Sequence, residues 1–344
     1  MSFHLKESTK TDLIMALYCL PGIILIYIIG LNYLGLLPTS IAASGAVTVG
    51  YGANKKLVDL PFAPMFIAII GMSITTFLGS VLGHYYLALV IVGMLMGALC
   101  SLVGLVDASA WWIIVQWAIG FFVAGYYADS FSVATQRASL ILLGGLFQAV
   151  CIMLLLQKTN FERNTIKLHD IRCMMLRIHH DFDKKIRFNA ASIYGALAIL
   201  LCFGLTHIFY IPYNYWAAIT VLVILKPDFK NTLLRTSQRL LGTFLGIVLA
   251  TALSIATSSN VIIVIEIILS LYLCYALFNH AYAVLTTFMT LSVVLMFSIS
   301  GVPETQLALD RILATLIGGI SALVTMTLRS LYLRLLSAKG KRSQ

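Results

Sequence analysis

Charged side chains are scarce in this sequence: Asp, Glu, Lys and Arg make up 10% of its 344 residues. An average soluble domain carries about 25%, and 60% of this chain is hydrophobic. So little charge cannot cover a soluble domain of this length, and the composition indicates a polytopic membrane protein. The formal net charge of +10 could suggest nucleic acid. In a membrane chain it is more simply the excess of Lys and Arg that cytoplasmic loops carry, so no nucleic-acid partner is expected.

The sequence also lacks the patterns of metal, disulfide and catalytic chemistry. It has six cysteines, none in a C-x-x-C pair, and five of them lie inside apolar runs. Neither disulfides nor a zinc site is therefore indicated. There is no phosphate-binding loop and no nucleophile–base arrangement, so we expect neither an enzyme nor a cofactor. The cysteines are Cys19, Cys100, Cys151, Cys173, Cys202 and Cys274.

Long apolar runs dominate the chain and predict an all-α fold with about 12 transmembrane helices. A helix needs ~20 apolar residues to cross a bilayer, and the first run lacks a cleavage site, so we expect it to be retained as a span. The predicted domains are a first six-helix repeat over 1–156, a cytoplasmic linker over 157–188, and a second repeat with a basic tail over 189–344. The predicted spans are 13–31, 37–53, 64–82, 85–106, 109–127, 136–156, 190–209, 212–226, 239–257, 261–278, 281–300 and 309–329.

The distribution of Lys and Arg predicts the orientation of these spans. With an even number of spans and a cytoplasmic N-terminus, 21 of the 23 bases fall inside or at inner span ends. Only Arg137 and Arg311 fall on the outer side. The positive-inside bias therefore places both termini in the cytoplasm.

Short sequence matches predict that the chain contains two copies of one unit. The offset between the matches contains six spans, an even number, so the copies run in the same direction about an axis along the membrane normal. We therefore expect a pseudo-dimer. The matching segments are Thr243–Gly246 with Thr76–Gly79, Ile219–Val221 with Val47–Val49, and Arg311 plus Gly318–Gly319 with Arg137 plus Gly144–Gly145.

The linker 157–188 is the one long polar segment. Its apolar residues recur at roughly helical spacing between basic residues, which is typical of an amphipathic helix on the inner leaflet. A solvated connector fits the same pattern. His179 and His180 are adjacent and would point in different directions on a helix, so they do not favour a metal site.

The stretch from Tyr213 to Gly246 carries a recognisable combination of motifs. It contains Tyr215-Trp216-Ala217, then Pro227-Asp228, then Arg239 followed by Gly242-Thr243 and Gly246. This combination resembles the core signature of the fusaric-acid-resistance and aromatic-acid-exporter superfamily. The resemblance covers about 195–330 and, more weakly, about 38–156. The first copy departs from the pattern: 50–54 replaces the Lys-Pro-Asp segment, and Met72 stands in the place of Arg239.

The resemblance implies a function and a setting. Members of this superfamily are linked to proton-driven export of aromatic carboxylic acids across the bacterial cytoplasmic membrane, sometimes with a periplasmic adaptor protein. Plant malate channels look like distant relatives and are dimers of a six-span unit. By that likeness the two halves here would enclose a path for a small organic anion, and a homo-oligomer is a further expectation.

Several basic residues are candidates for this path. Lys226, Arg235 and Arg239 follow one another around the loop near a helix N-terminus, where they could collect a carboxylate from the cytosol. Ordinary positive-inside anchoring explains them equally well. Arg137 and Arg311 break the charge rule at matching positions and could form an outer anion gate. The alternative is that Asp310 pairs with a base and Arg137 reaches the headgroups.

Other candidates are acidic or aromatic. Glu266, about a turn and a half inside its span, is the candidate for proton coupling, because burial favours its neutral form. Its alternative is a water-exposed acid near the outer boundary. Asp228 is expected to cap the loop or pair with Arg239. Tyr215 and Trp216 could stack on an aromatic substrate, although an interfacial aromatic belt is the favoured interpretation.

The glycines of the motif predict helix contacts rather than chemistry. Gly242 and Gly246 form a small-x-x-x-small face beside Thr243, as Gly79 and Gly83 do in the first copy, and Gly318-Gly319 permits close packing. Three functions remain open from the sequence. They are a proton-coupled exporter of organic anions, a passive anion channel, and a non-transporting partner of an envelope assembly.

Overall fold

The computed structural model describes residues 7–53, 55–57, 60–157, 185–256, 259–278, 280–299 and 304–342. Most of the predicted linker, including its amphipathic helix and the His179–His180 pair, lies outside these residues. Within them the chain forms helices and one short hairpin, in which Lys56 pairs with Pro61 and Leu57 with Leu60.

The helices follow one another with short connections. They are α1 (Glu7–Tyr18), α2 (Leu20–Tyr33), α3 (Leu36–Gly52), α4 (Ala63–Leu82), α5 (Tyr86–Val103), α6 (Ala108–Tyr126), α7 (Phe131–Gln157), α8 (Lys185–Ile208), α9 (Tyr215–Ile224), α10 (Phe229–Ala256), α11 (Asn260–Leu277), α12 (Tyr282–Ile299) and α13 (Glu304–Arg342). The hairpin strands, β1 (Lys56–Leu57) and β2 (Leu60–Pro61), lie between α3 and α4.

The fold is that of an all-α polytopic membrane protein. In the described ranges, eight stretches are long and apolar enough to cross a membrane. Three shorter apolar helices lie at Tyr215–Ile224, Val261–Leu277 and Tyr282–Ser298. The eight are Thr11–Tyr33, Ala63–Leu82, Tyr86–Val103, Ala108–Tyr126, Phe131–Leu156, Asn189–Ile208, Phe229–Ala256 and Ala308–Leu335.

Two helices are longer than the sequence predicts. The stretch 229–237 was predicted to be a basic loop, but α10 already begins at Phe229. The cause is local: the Asp228 carboxylate accepts a hydrogen bond from the backbone N–H of Asn231 at 2.8 Å, which caps the helix. Arg239 therefore lies almost three turns inside α10 rather than at its start. The helix predicted over 309–329 runs from Glu304 to Arg342.

The helices of each half pack against one another in several pairs. In the first half α4 contacts α6 and α7, and α3 contacts α7. In the second half α10 contacts α12 and α13, and α9 contacts α13. The halves also exchange contacts, because α5 packs on α8 and α11 packs on α1. Tyr275 of α11 donates a hydrogen bond to the carbonyl of Val47 on α3 at 3.1 Å.

Glycines make these close pairs possible. A Cβ at Gly79 would lie 2.3 Å from the carbonyl oxygen of Phe121 on α6, and a Cβ at Gly246 would lie 2.5 Å from that of Thr287 on α12. Gly242 approaches the carbonyl of Ala283 on α12 in the same way. The structure thus identifies the packing partners of the predicted small-residue faces.

The second glycine pair locks α13 between its neighbours. A Cβ at Gly318 would lie 2.6 Å from the carbonyl oxygen of Ala217 on α9. One at Gly319 would lie 2.8 Å from the methyl group of Thr236 on α10. These two contacts set the register of α13 against α9 and α10, and so decide which side chains meet between the three helices.

Candidate functional site

Arg311 is buried between α13 and α9. It is 6% exposed, and its guanidinium carbon lies 4.5 Å from the centre of the Trp216 ring. The Nη1 atom of Arg311 is buried without a hydrogen-bond partner. A desolvated cation with an unused donor is costly unless an anion or an aromatic face compensates it. Among the described residues, Trp216 supplies the aromatic face and no carboxylate pairs with Arg311.

Arg239 adds a second buried cation. It is 9% exposed, its Nε has no hydrogen-bond partner, and it lies close enough to Arg311 for their charges to repel. Within the described residues the ion pairs join only Arg137 to Asp129 and His280 to Asp12, so neither arginine pairs with a carboxylate. Thr243 lies one turn beyond Arg239, 2% exposed, with an unpartnered hydroxyl. We name Trp216, Arg239, Thr243 and Arg311 the arginine site.

An aromatic wall borders the arginine site. Trp216 stacks on Tyr213, with ring centroids 5.1 Å apart at 27°, and meets Phe297 of α12 edge-on at 6.0 Å. Tyr215 is 4% exposed and packs against Tyr126 at 5.2 Å. Tyr215 is therefore not part of an interfacial belt, because its ring faces the protein interior. The half-buried Trp216 presents its face to a cation instead.

Two acids lie in the same half of the molecule. Asp310, next to Arg311 in the chain, is 7% exposed, and its Oδ2 has no hydrogen-bond partner. The expected local ion pair of Asp310 is absent among the described residues. Glu266 of α11 is half-buried, with a buried Oε2 that likewise lacks a partner. Each carboxyl group is thus short of the hydrogen bonds that would stabilise its charge.

Arg137 does not share the environment of its counterpart Arg311. Its guanidinium pairs with Asp129 at 3.2 Å and donates to Ser80 Oγ at 3.3 Å and to the carbonyl of Tyr127. The guanidinium of Arg137 is thus bound by Tyr127 and Asp129 of the loop before α7 and by Ser80 of α4. That of Arg311 lies instead on Trp216. The gate of two arginines stays a prediction.

Cations stack on aromatic rings at the other end of the helices. Lys226 Nζ lies 3.9 Å from the centre of the Trp111 ring, and Lys55 Nζ lies 5.6 Å from that of Trp112 and 4.7 Å from that of Phe278. Arg235 lies 4.2 Å from the Tyr282 ring. We call this end, with Lys55, Lys226, Arg235 and Arg329, the basic end. Of the predicted basic cluster, Lys226 and Arg235 lie here and Arg239 does not.

Burial changes the acidity of the two lysines. Desolvation, and then the positive charge of Arg235, lower the pKa of Lys226 to about 8. Desolvation also lowers the pKa of Lys55, against an opposing effect of the Asp107 charge. Burial therefore makes the charged form of both lysines less favourable than it is in water.

The loop at Pro227 is held rigidly. The buried Thr232 hydroxyl donates to the carbonyl of Asp228 at 2.9 Å and accepts the N–H of Lys226 at 3.0 Å. Arg329 Nη1 donates to the carbonyl of Pro227 at 3.1 Å. Asp228 acts as the predicted cap and not as a partner of Arg239, so the only carboxylate of this loop does not neutralise Lys226.

The described part of the first half contains no arginine site. Met72, at the position of Arg239, is 5% exposed, and its sulfur accepts a hydrogen bond from Thr48 at 3.4 Å. Sequence reasoning overlooked Asp129 and the tandem tryptophans at the start of α6. The pair Trp111-Trp112 was the sequence signal for the basic end, because adjacent tryptophans at a helix start can each accept a lysine from a nearby loop.

Comparison with known proteins bears on the second half of the chain. The sequence model of the family described as "Fusaric acid resistance protein-like" matches residues 197–325. The second half carries a fusaric acid resistance protein-like segment. All four residues of the arginine site lie within this segment, which confirms the resemblance expected from the Tyr-Trp-Ala, Pro-Asp and Arg-x-x-Gly-Thr motifs.

Three curated proteins are similar to parts of the chain. An uncharacterized protein of Synechocystis is 37% identical over 121 residues, which is 35% of this chain and 16% of that protein. The inner membrane protein YccS of Escherichia coli is 31% identical over 152 residues, 44% of this chain and 21% of YccS. An uncharacterized protein of Haemophilus influenzae is 26% identical over 140 residues, which is 41% of this chain and 19% of that protein.

The matched parts thus span about a fifth of each curated relative or less. No solved structure matches this chain. The fusaric acid resistance protein-like segment is therefore assigned by sequence alone.

Proposed function

We propose that this chain is a bacterial inner-membrane transporter for small organic anions, with aromatic carboxylates as the first substrate class to test. The observation that carries the proposal is the arginine site, where two buried guanidinium groups repel each other and neither pairs with a carboxylate of the residues that the structure describes. A carboxylate between them would relieve the repulsion and take up the unused donors of Arg239 and Arg311.

The aromatic wall supports an aromatic substrate. Trp216 and Phe297 meet edge-on at the border of the site and would give a substrate ring an aromatic neighbour, and the Thr243 hydroxyl can donate to a second oxygen. Offset or edge-on ring pairs contribute about 0.5–1.5 kcal/mol beyond burial. An aliphatic acid would keep the guanidinium contacts and lose this term, so we expect aromatic acids to bind several-fold more tightly.

The proposed architecture is a pseudo-dimer of two parallel six-helix repeats, with twelve crossings and both termini in the cytoplasm. The equivalent contacts α4–α6 with α10–α12, α3–α7 with α9–α13, and α5–α8 with α11–α1 support it. So do the matched approaches of Gly79 to Phe121 and Gly246 to Thr287. In this arrangement the basic end faces the cytosol, as the positive-inside bias requires.

We propose that the proton gradient drives transport, by exchange of protons for the organic anion. Glu266 is the proposed coupling acid, because it is a carboxyl group inside an apolar helix and its Oε2 is buried without a hydrogen-bond partner. A passive channel needs no such residue, and a scaffold needs neither the acid nor the arginines.

Flux measurements in proteoliposomes test the proposal. We expect uptake of labelled 4-hydroxybenzoate to be stimulated by a pH gradient, and Arg311→Gln to reduce it by about tenfold or more. Lys230→Gln is the matched control, because Lys230 is an exposed cation of the same half. Flux that ignores the pH gradient would favour a channel. No flux of any organic acid by a folded protein would favour a scaffold.

A further inference from the structure

Asp310 and Arg311 are neighbours in α13 that carry opposite charges, and both are buried, with 7% and 6% exposed. The Oδ2 atom of Asp310 and the Nη1 atom of Arg311 each lack a hydrogen-bond partner. Over the part of the chain that the structure describes, neither side chain forms an ion pair, with the other or with a third residue. An acceptor and a donor of opposite charge are therefore left unused side by side inside the protein, which is costly for both.

The two charged groups face different parts of the aromatic wall. Arg311 lies on the face of Trp216 and is close enough to Tyr215 for its charge to act on that phenol. The charge of Asp310 acts instead on Tyr213. Adjacent side chains of a helix point about 100° apart, which accounts for this division. A ligand between the two groups would meet a cation on one side and an acid on the other.

A group of tyrosine rings extends from the side of Asp310. Tyr213 packs on Tyr126 with ring centroids 5.4 Å apart, and Tyr126 meets Tyr127 at 4.9 Å. Tyr126 and Tyr127 are each 38% exposed, so the group is open on one side. Aromatic faces attract ammonium groups, and a carboxylate beside them can accept a charge-assisted hydrogen bond. The acid and the rings are therefore suitable partners for a protonated amine.

The charges decide which kind of ligand suits both sides. A simple carboxylate would satisfy Arg311 and Arg239, but it would bring a second negative charge near Asp310. A simple cation would pair with Asp310, but the two guanidinium groups would repel it. A zwitterion presents to each side the charge opposite to its own, and so uses the free donors and the free acceptor together.

We propose that the ligand of the arginine site is an aromatic zwitterion, with its carboxylate on Arg311 and Arg239 and its protonated amine on Asp310. The ring of Tyr213 would contact the amine as well. An α-amino acid carries both charged groups on one carbon atom, which suits two side chains that are adjacent in the chain. The inference rests on the proposed function, because the ligand is the transported solute, and it narrows the substrate class from aromatic carboxylates to aromatic amino acids.

A matched pair of ligands tests the role of the amine. L-Phenylalanine and 3-phenylpropionate share the carboxylate, the chain and the ring, and they differ only in the α-ammonium group. Binding of each radiolabelled compound is measured on the purified full-length protein in phosphatidylcholine nanodiscs. We expect L-phenylalanine to bind about tenfold more tightly, because its amine adds a charge-assisted hydrogen bond and a cation–π contact. Equal affinities in the unaltered protein would overturn the inference.

Substitution of Asp310 assigns the effect to the acid. Asp310→Asn should weaken L-phenylalanine binding about tenfold and leave 3-phenylpropionate binding unchanged. Asp107→Asn is the matched control and should alter neither, because Asp107 caps the opposite end of α6 from Tyr126 and Asn can still accept the N–H of Ala110. An equal loss of both compounds in Asp310→Asn would also overturn the inference, since the acid would then support the site without touching the amine.

These outcomes are distinct from failure of the proposed function. If 3-phenylpropionate binds and Arg311→Gln abolishes its binding, while L-phenylalanine gains nothing from Asp310, the site takes simple acids. The proposed function then stands and the zwitterion is wrong. If neither compound binds to the folded protein, both the proposed function and the inference fall.

Discussion

Arg311 and Trp216 meet across the α13–α9 contact, with the guanidinium carbon 4.5 Å from the indole centre. Both belong to the fusaric acid resistance protein-like segment, and the contact exists because Gly318 lets α13 approach the backbone of α9 at Ala217. The cation–π pair between Arg311 and Trp216 therefore depends on the glycine at 318.

Two substitutions of Arg311 distinguish the contribution of its charge to anion binding from that of its planar guanidinium group. Arg311→Lys keeps the positive charge but loses the flat face on Trp216 and the forked donors, so we expect anion affinity to fall by about tenfold. Arg311→Gln removes the charge as well and should cost more. Equilibrium binding of 4-hydroxybenzoate in detergent measures both. If the Lys variant binds as tightly as the unaltered protein, stacking on Trp216 does not matter for the site.

Gly246→Ala should destabilise the second half. The new Cβ would lie 2.5 Å from the carbonyl oxygen of Thr287, so α10 and α12 must separate, at a cost of about 1–3 kcal/mol. Gly204→Ala is the control, because nothing lies within 4 Å of a Cβ at Gly204. We expect a lower melting temperature for the first variant only. An unchanged melting temperature for Gly246→Ala would mean that α10 and α12 are not in close contact.

Arg137 should prove structural rather than functional. Its ion pair with Asp129 is partly exposed, with 19% and 41% of the two side chains accessible, so a double-mutant cycle with Arg137→Gln and Asp129→Asn should give about 0.2–1 kcal/mol. Arg137→Gln should also lower the melting temperature more than Asp129→Asn, because the carbonyl of Tyr127 loses its donor. Transport should be unaffected, and a loss comparable to that in Arg311→Gln would contradict this assignment.

Lys226 should make stability depend on alkaline pH. Its pKa falls from 10.5 to about 8 on folding, so between these values the unfolded chain binds the proton more readily than the folded one. Stability should therefore rise with pH across this window. Lys226→Met lacks the titrating group, so its melting temperature should exceed that of the unaltered protein at pH 7 and approach it at about pH 10. A difference that stays constant with pH would contradict the lowered pKa.

Glu266→Gln tests the coupling. The amide cannot carry the proton, so flux driven by a pH gradient should be lost while flux driven by an anion gradient remains. Asp129→Asn is the control, because it makes the same kind of change at an acid that is already paired with Arg137. Proteoliposomes with each gradient imposed separately distinguish the cases. Intact pH-driven flux in Glu266→Gln would transfer the coupling role to another acid, and Asp310 would be examined next.

The sequence predicted the apolar helices and their motifs well, because hydrophobic runs and Gly-x-x-x-Gly spacing are local properties. It misjudged α10, since the basic residues of 229–237 resemble a loop until the cap at Asp228 and the hydroxyl of Thr232 are known. It also treated Arg137 and Arg311 as equals. Their difference arises from Asp129 and Trp216, which approach from other segments, and such long-range contacts are not encoded in the spacing around either arginine.

The tandem tryptophans at the start of α6 have a mechanical consequence. Trp111 holds the lysine of one half and Trp112 holds that of the other. Adjacent residues on a helix point about 100° apart, so any turning of α6 on its long axis disturbs both lysines together. Rotation of α6 would therefore be communicated to the loop of each half through one of its two indole rings.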